Sequence, residues 1–399
     1  MKRIHYNSKD CTGCTACYSV CPTKSIQMVV DHEGFNVPYI DDEKCINCLK
    51  CEKVCPVNYK VIQQNDCEVK AYAFQNSDKN ILSKSSSGAF FPALAEYVLS
   101  FDGYICGCVL DNNLIPKHIV SNNRLDIYKM QDSKYVQSDL GNCYNDIILL
   151  LENRKKVLFT GTSCQVAGLK SLIKAKKIND ENLICVDFFC HGVPSPKVWS
   201  SYLDFYRKEK KTKILKYRFR NKKYGWGKAS RGTYHLNTVY KSNGKKDDIS
   251  LAARMWYFIF FSNLCLRRYC YRCPYTSLDK PSDFTMADFW GIENISNEFL
   301  DGSGCSLVLC HNAKTKAIID ELAKKSKIVS VNTVEAIKKQ GNAFAPTAEP
   351  DIRDEFWSDF DSKDFNFVAK KYFRYDCVHK IKDFIHRFMF ELHFTNLYK

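Results

Sequence analysis

Between residues 68 and 210, short and long apolar segments alternate along the chain. Val69–Gln75, Gly103–Asp111, Lys156–Thr160 and Leu183–Phe189 are brief runs rich in β-branched and aromatic residues, with the length of buried strands. Ser85–Ser100, Leu140–Asn153, Gln165–Lys174 and Ser195–Arg207 place apolar residues at helical spacing. Strand–helix alternation of this kind predicts an α/β domain with a largely parallel sheet. From 214 to 250 the period shortens, and turn signals at Gly225 and Ser242-Asn243-Gly244 predict an inserted β meander. The first 62 residues differ. There, Ser25–Val30 and Phe35–Ile40 alternate around Glu33-Gly34 as two short strands. A polar link, Gln63–Asp66, divides the two regions. The expected fold is α+β: an N-terminal domain over 1–62, an α/β domain over 68–345, and a tail over 346–399.

The tail has its own pattern. Phe365–His393 interleaves Lys370, Lys371, Arg374, Lys380, Lys382 and Arg387 with Phe373, Ile381, Phe384, Ile385, Phe388 and Phe390. A helix here has an aromatic side and a cationic side, which suits an anionic membrane surface or a partner. Packing back on the domain is the commoner fate of such a helix.

Composition adds limits. A content of 45% hydrophobic and 14% aromatic residues supports a large core and argues against disorder. Met1–Asp10 is polar, and the longest apolar runs, Ile147–Leu151 and Met255–Phe261, fall far short of the roughly 18 residues that span a bilayer. A cytoplasmic protein is expected. The formal charge of +15 points to acidic partners, yet the basic residues are scattered apart from runs such as Arg207–Lys211. No nucleic-acid-binding motif accompanies them, so a nucleic-acid partner is not expected. Bound anionic metal clusters would offset part of the excess.

The 21 cysteines change the picture most. Cys11, Cys14, Cys17 and Cys21 precede Pro22, and Cys45, Cys48, Cys51 and Cys55 precede Pro56. Each run has the C-x2-C-x2-C-x3-C-P spacing of two-cluster bacterial ferredoxins. Two intervening residues let three thiolates of one tight loop reach three irons of one cube. The fourth cysteine starts a short helix that points away and ligates the other cube. One 4Fe–4S cluster is therefore assigned to Cys11, Cys14, Cys17 and Cys55, the other to Cys45, Cys48, Cys51 and Cys21. Zinc ribbons or buried free thiols compete, but zinc sites lack the third C-x2-C step.

Outside this segment, Cys270 and Cys273 form a C-x-x-C-P motif in the basic loop Cys265–Pro274. Such a pair needs two more ligands. Cys164 follows Gly161-Thr162-Ser163 between a strand and a helix, where a helix N-terminus favours thiolate. Cys190 follows another strand, ahead of His191-Gly192. Cys164, Cys190, Cys270 and Cys273 are assigned as a third 4Fe–4S site with Cys265 as a substitute, while a redox dithiol or structural zinc stays open. Cys67, Cys106, Cys108, Cys143, Cys185, Cys305, Cys310 and Cys377 lack ligand spacing and read as small hydrophobes. The small hydroxyl-rich turn Ser85–Gly88 opens a helix and suits either a phosphate or an ordinary cap.

The stretches Ser86–Ala89, Ser133–Ser138, Phe159–Gln165, Cys190–Ser195, Tyr224–Gly227 and Cys270–Pro274 running into Ala287–Gly291 together resemble the coenzyme F-420 hydrogenase/dehydrogenase beta-subunit family. The likeness is to its bacterial branch with an N-terminal two-cluster ferredoxin domain. It implies an FAD-binding α/β domain with its own 4Fe–4S cluster, and makes Ser87, Gly88 and Lys134 candidate FAD contacts. It also strengthens the assignment of Cys164, Cys190, Cys270 and Cys273. Ser163 stands where the family often has proline. The implied activity is that of an oxidoreductase: electrons from a ferredoxin-like donor or partner subunit reach FAD and then an organic acceptor, a deazaflavin or similar. His191 and Asp288 are candidate proton or orienting groups. The alternatives are a relay subunit without its own substrate, and a reductase in surface-polysaccharide synthesis.

Overall fold

Each N-terminal cysteine run closes on a short helix, Ala16–Val20 in the first and Lys50–Lys53 in the second. Thr15 and Leu49 enter these helices with φ of 61° and 56°, a left-handed step that turns the loop into the helix. Between the runs, β1 (Ile26–Val30) and β2 (Asn36–Ile40) pair antiparallel. Gly34 makes their turn at φ 89°. A Cβ there would lie 2.3 Å from Lys197 Cβ, so the turn sits directly on the helix Pro196–Lys210. The computed structural model describes residues 10–62, 68–223, 225–227, 237–382 and 384–385.

The larger region is built on β3 (Lys70–Asn76), β4 (Tyr104–Leu110), β5 (Pro116–Ser121), β6 (Val157–Thr160) and β7 (Leu183–Phe188). It continues through β8 (Ile214–Arg218), β9 (Thr238–Lys241), β10 (Lys246–Asp247), β11 (Phe284–Asp288), β12 (Ser306–Cys310) and β13 (Ser326–Val331). An eight-stranded sheet runs in the order β13-β3-β12-β11-β7-β6-β4-β5. Only its centre is parallel: β4 with β6, β6 with β7, and β7 with β11. β5, β12, β3 and β13 join antiparallel, so the sheet is mixed at both flanks. The cause at one edge is local. Asp111 caps a tight hairpin by accepting from Ile115 N at 2.9 Å, which returns β5 beside β4 without a crossover helix.

Neighbouring residues on the central strands face opposite layers. Ile105, Leu158 and Ile184 meet Phe90, Leu94 and Val98 of the helix Phe90–Leu99. Cys106, Phe159 and Cys185 meet Ile147 and Leu151 of the helix Cys143–Glu152, and Val166 and Leu169 of the helix Ser163–Lys176. Cys14, Ala16, Val20 and Val54 join this second layer, so the N-terminal domain shares a core with the larger one. The meander appears as an antiparallel sheet of order β10-β9-β8, with Tyr224 and residues 228–236 outside the described residues. It encloses a third core of Trp199, Tyr202, Tyr217 and Trp256.

The first part of the tail completes that third core. The helices Arg353–Ser362 and Phe365–Tyr372 bury Phe356, Trp357, Val368 and Ala369 in it. Beyond them, Val378, Ile381, Phe384 and Ile385 are exposed, and residues 386–399 lie outside the described residues. Among the described residues, no helix is long and apolar enough to cross a membrane.

Candidate metal centres

Cys11, Cys14, Cys17 and Cys55 line one recess of about 290 Å³, together with Thr12, Thr15, Met28 and Val57. Cys21, Cys45, Cys48 and Cys51 line a second of about 500 Å³, walled by Pro22, Ile26, Ile40, Ile46 and Leu49. The last cysteine of each run thus faces the other run's loop. Local geometry produces the exchange: Cys17 lies in the helix Ala16–Val20 and Cys21 caps its far end, so the two thiols leave in different directions. Both recesses are lined by four thiols and largely apolar walls, a donor set and surroundings that fit an iron–sulfur cube. A cube puts an iron at each thiolate and keeps its ligands apart. Among the described residues, no three His, Cys, Asp or Glu side chains crowd together as ligands of a single ion do.

The recesses differ in depth. Cys11, Cys14, Cys17 and Cys55 are buried, whereas Cys21, Cys45 and Cys51 are partly exposed and Cys48 is exposed. The first recess touches the larger domain at Gly168, where a Cβ would lie 2.8 Å from Cys14 Sγ. Burial pushes the thiols of Cys14 and Cys17 well up.

Three separate segments bring Cys164, Cys190, Cys270 and Cys273 into one neighbourhood. Cys164 stands in the first turn of the helix Ser163–Lys176, which opens on a capping box of Thr162 and Gln165. Cys190 follows β7. Cys270 and Cys273 sit in and just after the 3-10 turn Arg268–Arg272. Burial pushes the Cys190 thiol far up, and the facing thiols of Cys270, Cys164 and Cys273 push it further. Burial likewise raises Cys164 to about 11 and Cys270 to about 12. Gly192 at φ 133° lets the chain pass close by, its would-be Cβ 3.3 Å from Cys270 Cβ. Cys265 has other charged neighbours, Arg353 and Glu33, and is fully buried.

Two tyrosines bridge the first recess and this third set. Burial lifts Tyr269 to about 12, and its charged neighbours include Cys273, Cys164 and Cys55. Burial also raises the Tyr275 phenol, which faces Cys164 and Cys14. The buried Lys280 donates to Tyr275 O at 2.7 Å, and its charge draws the Cys273 thiol back down.

Ser87, Gly88 and Lys134 bond within the protein. Ser87 Oγ donates to Cys305 O at 2.7 Å, and Gly88 N to Ser306 Oγ at 2.9 Å. Lys134 Nζ caps the helix Leu125–Met130, donating to the carbonyls of Met130 and Gln131, each at 2.7 Å. Burial pushes this ammonium down to about 8. His191 shares a 2.7 Å bond between Nε2 and Asn263 Oδ1, and its Nδ1 lies 3.4 Å from Thr347 Oγ1. Asp288 pairs with Arg220 and accepts from Trp226 Nε1 at 3.4 Å.

Arg218, Arg220 and Lys222 were not singled out in the sequence, yet they face the same corner. Arg218 Nε lies 2.8 Å from Asp132 Oδ2. Lys222 Nζ donates to the carbonyls of Leu82 at 2.7 Å and Ser87 at 3.0 Å, and burial pushes it down to about 8. The Arg220 guanidinium is 5.9 Å from the Trp290 ring, which stacks on Trp226 at 5.0 Å and 9°. The sequence signal was the alternate spacing of the three cations, although only Arg218 lies on a strand, at the end of β8.

Residues 10–59 match the model of the 4Fe–4S dicluster domain. Residues 154–336 match that of the C terminus of the coenzyme F-420 hydrogenase/dehydrogenase beta subunit. Over these two stretches the chain is similar to an iron–sulfur dicluster domain and to that beta subunit. A solved chain of the F-420-reducing nickel–iron hydrogenase complex from Methanosarcina barkeri is similar at 18% identity and a TM-score of 0.41. That match covers 70% of this chain and 88% of the solved one. None of the curated proteins matches it.

Proposed function

We propose that the chain is an iron–sulfur flavoprotein oxidoreductase. It takes electrons from a ferredoxin-like donor or partner subunit through three 4Fe–4S clusters, and passes them by way of FAD to an organic acceptor, a deazaflavin or similar. The observation that carries the reading is the series of thiol sets: the one holding exposed Cys48, the buried one holding Cys14, and the partly exposed one holding Cys164 with Tyr269 and Tyr275 between. Bound clusters supply one-electron transfer and a bound flavin supplies the pairing of two electrons. The residues' own work is to hold four thiols per site, exclude water from the set holding Cys14 and compensate negative charge with Lys280. For the flavin, Arg218, Arg220 and Lys222 suit a diphosphate and the Trp226–Trp290 stack suits a flat ring, beside the close-packed backbone of Ser87 and Gly88 and the buried charge of Lys134. His191 and Asp288, each oriented by its neighbours, are the candidates for proton handling.

One observation favours the second reading, a relay subunit without flavin. Ser87 Oγ and Lys134 Nζ are already bonded to backbone carbonyls. Protein isolated without oxygen distinguishes the two. Released FAD in stoichiometric amount, with dithionite-driven reduction of a deazaflavin, supports the oxidoreductase. Clusters without flavin leave only the relay.

The exposed face of Val378, Ile381, Phe384 and Ile385, flanked by Lys380 and Lys382, is proposed to rest on an anionic lipid surface at the cytoplasmic side of the membrane. Co-sedimentation with phosphatidylglycerol vesicles, and not with phosphatidylcholine alone, is the expected result. Failure to sediment with either ends this reading.

A further inference from the structure

Arg267 is a cation buried without a carboxylate. Its side chain is almost closed to solvent, at 2% exposure. Nε donates to Gln137 Oε1 at 2.8 Å, Nη1 to Cys11 O at 2.7 Å and Nη2 to Asn36 O at 2.7 Å. The guanidinium lies 4.7 Å from the Phe35 ring. Among the described residues, its oxygen partners are all neutral, and its remaining partner is the Cys11 thiol. A buried charge left in that condition costs several kcal/mol, far more than hydrogen bonds to neutral groups return. The position therefore calls for a nearby negative charge.

The thiols supply the place for one. The guanidinium bonds Cys11 O of the first recess at 2.7 Å, and Arg267 O accepts from the backbone N of Cys270 in the third set at 2.8 Å. Arg267 is held there from both sides. Its backbone N donates to Val193 O at 3.0 Å, three residues after Cys190, and its fork grips the N-terminal domain at Cys11 and Asn36. Gln137 fixes the fork in turn, since its Nε2 donates to Thr12 O at 3.1 Å. The second recess, lined by Cys21, Cys45, Cys48 and Cys51, has a cation in its lining as well, Lys50, but this one is exposed to solvent and screened by it.

We infer that Arg267 is a positioning residue that sets the reduction potentials of the two clusters flanking it, and of those two only. The inference rests on the three-cluster reading above. A reduced cluster carries one more negative charge than an oxidised one. A fixed cation at its edge therefore stabilises the reduced form, and removing the cation makes reduction harder.

The test is a redox titration followed by EPR on the full chain, isolated without oxygen. In Arg267→Gln, two of the three reduced-cluster signals are expected to need a more negative potential. The shift amounts to at least a tenfold fall in the reduced-to-oxidised ratio at fixed potential, about 59 mV for one electron. The signal lost in Cys48→Ala is expected to titrate as in the parent. Arg267→Lys keeps the charge and is expected to restore most of the shift. Should Arg267→Gln fail to fold, Gln137→Glu sets a carboxylate against the guanidinium without removing the fork, and the same two signals are expected to move the same way. Three signals that titrate as in the parent in these variants overturn the inference. A parent protein with fewer than three clusters overturns the underlying reading instead.

Discussion

Cys55→Ala is expected to abolish or convert the same EPR signal as Cys14→Ala, although the two cysteines belong to different sequence motifs. Cys21→Ala is expected to pair in the same way with Cys48→Ala. The reason is the exchange of the fourth thiol: Cys55 lines the recess of Cys11, Cys14 and Cys17, and Cys21 lines that of Cys45, Cys48 and Cys51. Each substitution is expected to cost up to about four irons, one cube's complement, and to leave the other sites filled. The cavities also predict which site suffers first in air. The site with exposed Cys48 is expected to bleach before the one whose four thiols are all buried. A variant set in which Cys55→Ala groups with Cys48→Ala would mean that each motif holds its own cube.

Arg353→Met is expected to destabilise the protein by about 3–5 kcal/mol, because it leaves a buried carboxylate without its partner. Arg353 Nη1 and Nη2 donate to the two oxygens of Glu33 at 2.7 and 2.5 Å, and the two side chains are 2% and 4% exposed. The same guanidinium holds Leu266 O at 2.9 Å and Tyr271 OH at 3.1 Å. Glu33 lies in the turn between β1 and β2, whereas Arg353 opens a helix of the tail. The pair therefore ties the tail to the N-terminal domain across the segment that carries Cys270 and Cys273. Arg268, 3.5 Å from Glu33, compensates only part of the loss. The double variant Glu33→Leu/Arg353→Met is expected to recover much of the stability, since no charge is then stranded. Urea unfolding without oxygen measures both. A loss below about 1 kcal/mol in the single variant, the worth of an exposed pair, would contradict the buried clamp.

The parts of this arrangement that were legible in the sequence are those governed by local spacing. The two N-terminal runs could be read because three thiols of one loop must stand two residues apart to reach one cube. The central strands were visible because they are buried on both faces and so appear as unbroken apolar runs. What could not be read depends on register between distant segments. The antiparallel flank is one case: β12 pairs with β3 across the interval from Phe74 to Ser306, and no local pattern records that choice. The third thiol set stands between the two cases: Cys270 and Cys273 are neighbours in sequence, while Cys164 and Cys190 are assigned to it from their places after strands and from the family resemblance. Arg267 looked like one more cation of a basic loop, because burial is not written in residue type. The tail was ambiguous for a similar reason. Its aromatic periodicity is the same whether a helix faces a core, as Phe356 and Val368 do, or is left exposed, as Phe384 is.

Iron and acid-labile sulfide, counted per chain on protein kept free of oxygen and reduced for EPR, bear most directly on the central claim. The account predicts about twelve of each, four for every cube, with three distinguishable paramagnetic centres. About eight would leave Cys164, Cys190, Cys270 and Cys273 without a cluster, and zinc in place of iron, with no signal on reduction, would contradict the account as a whole.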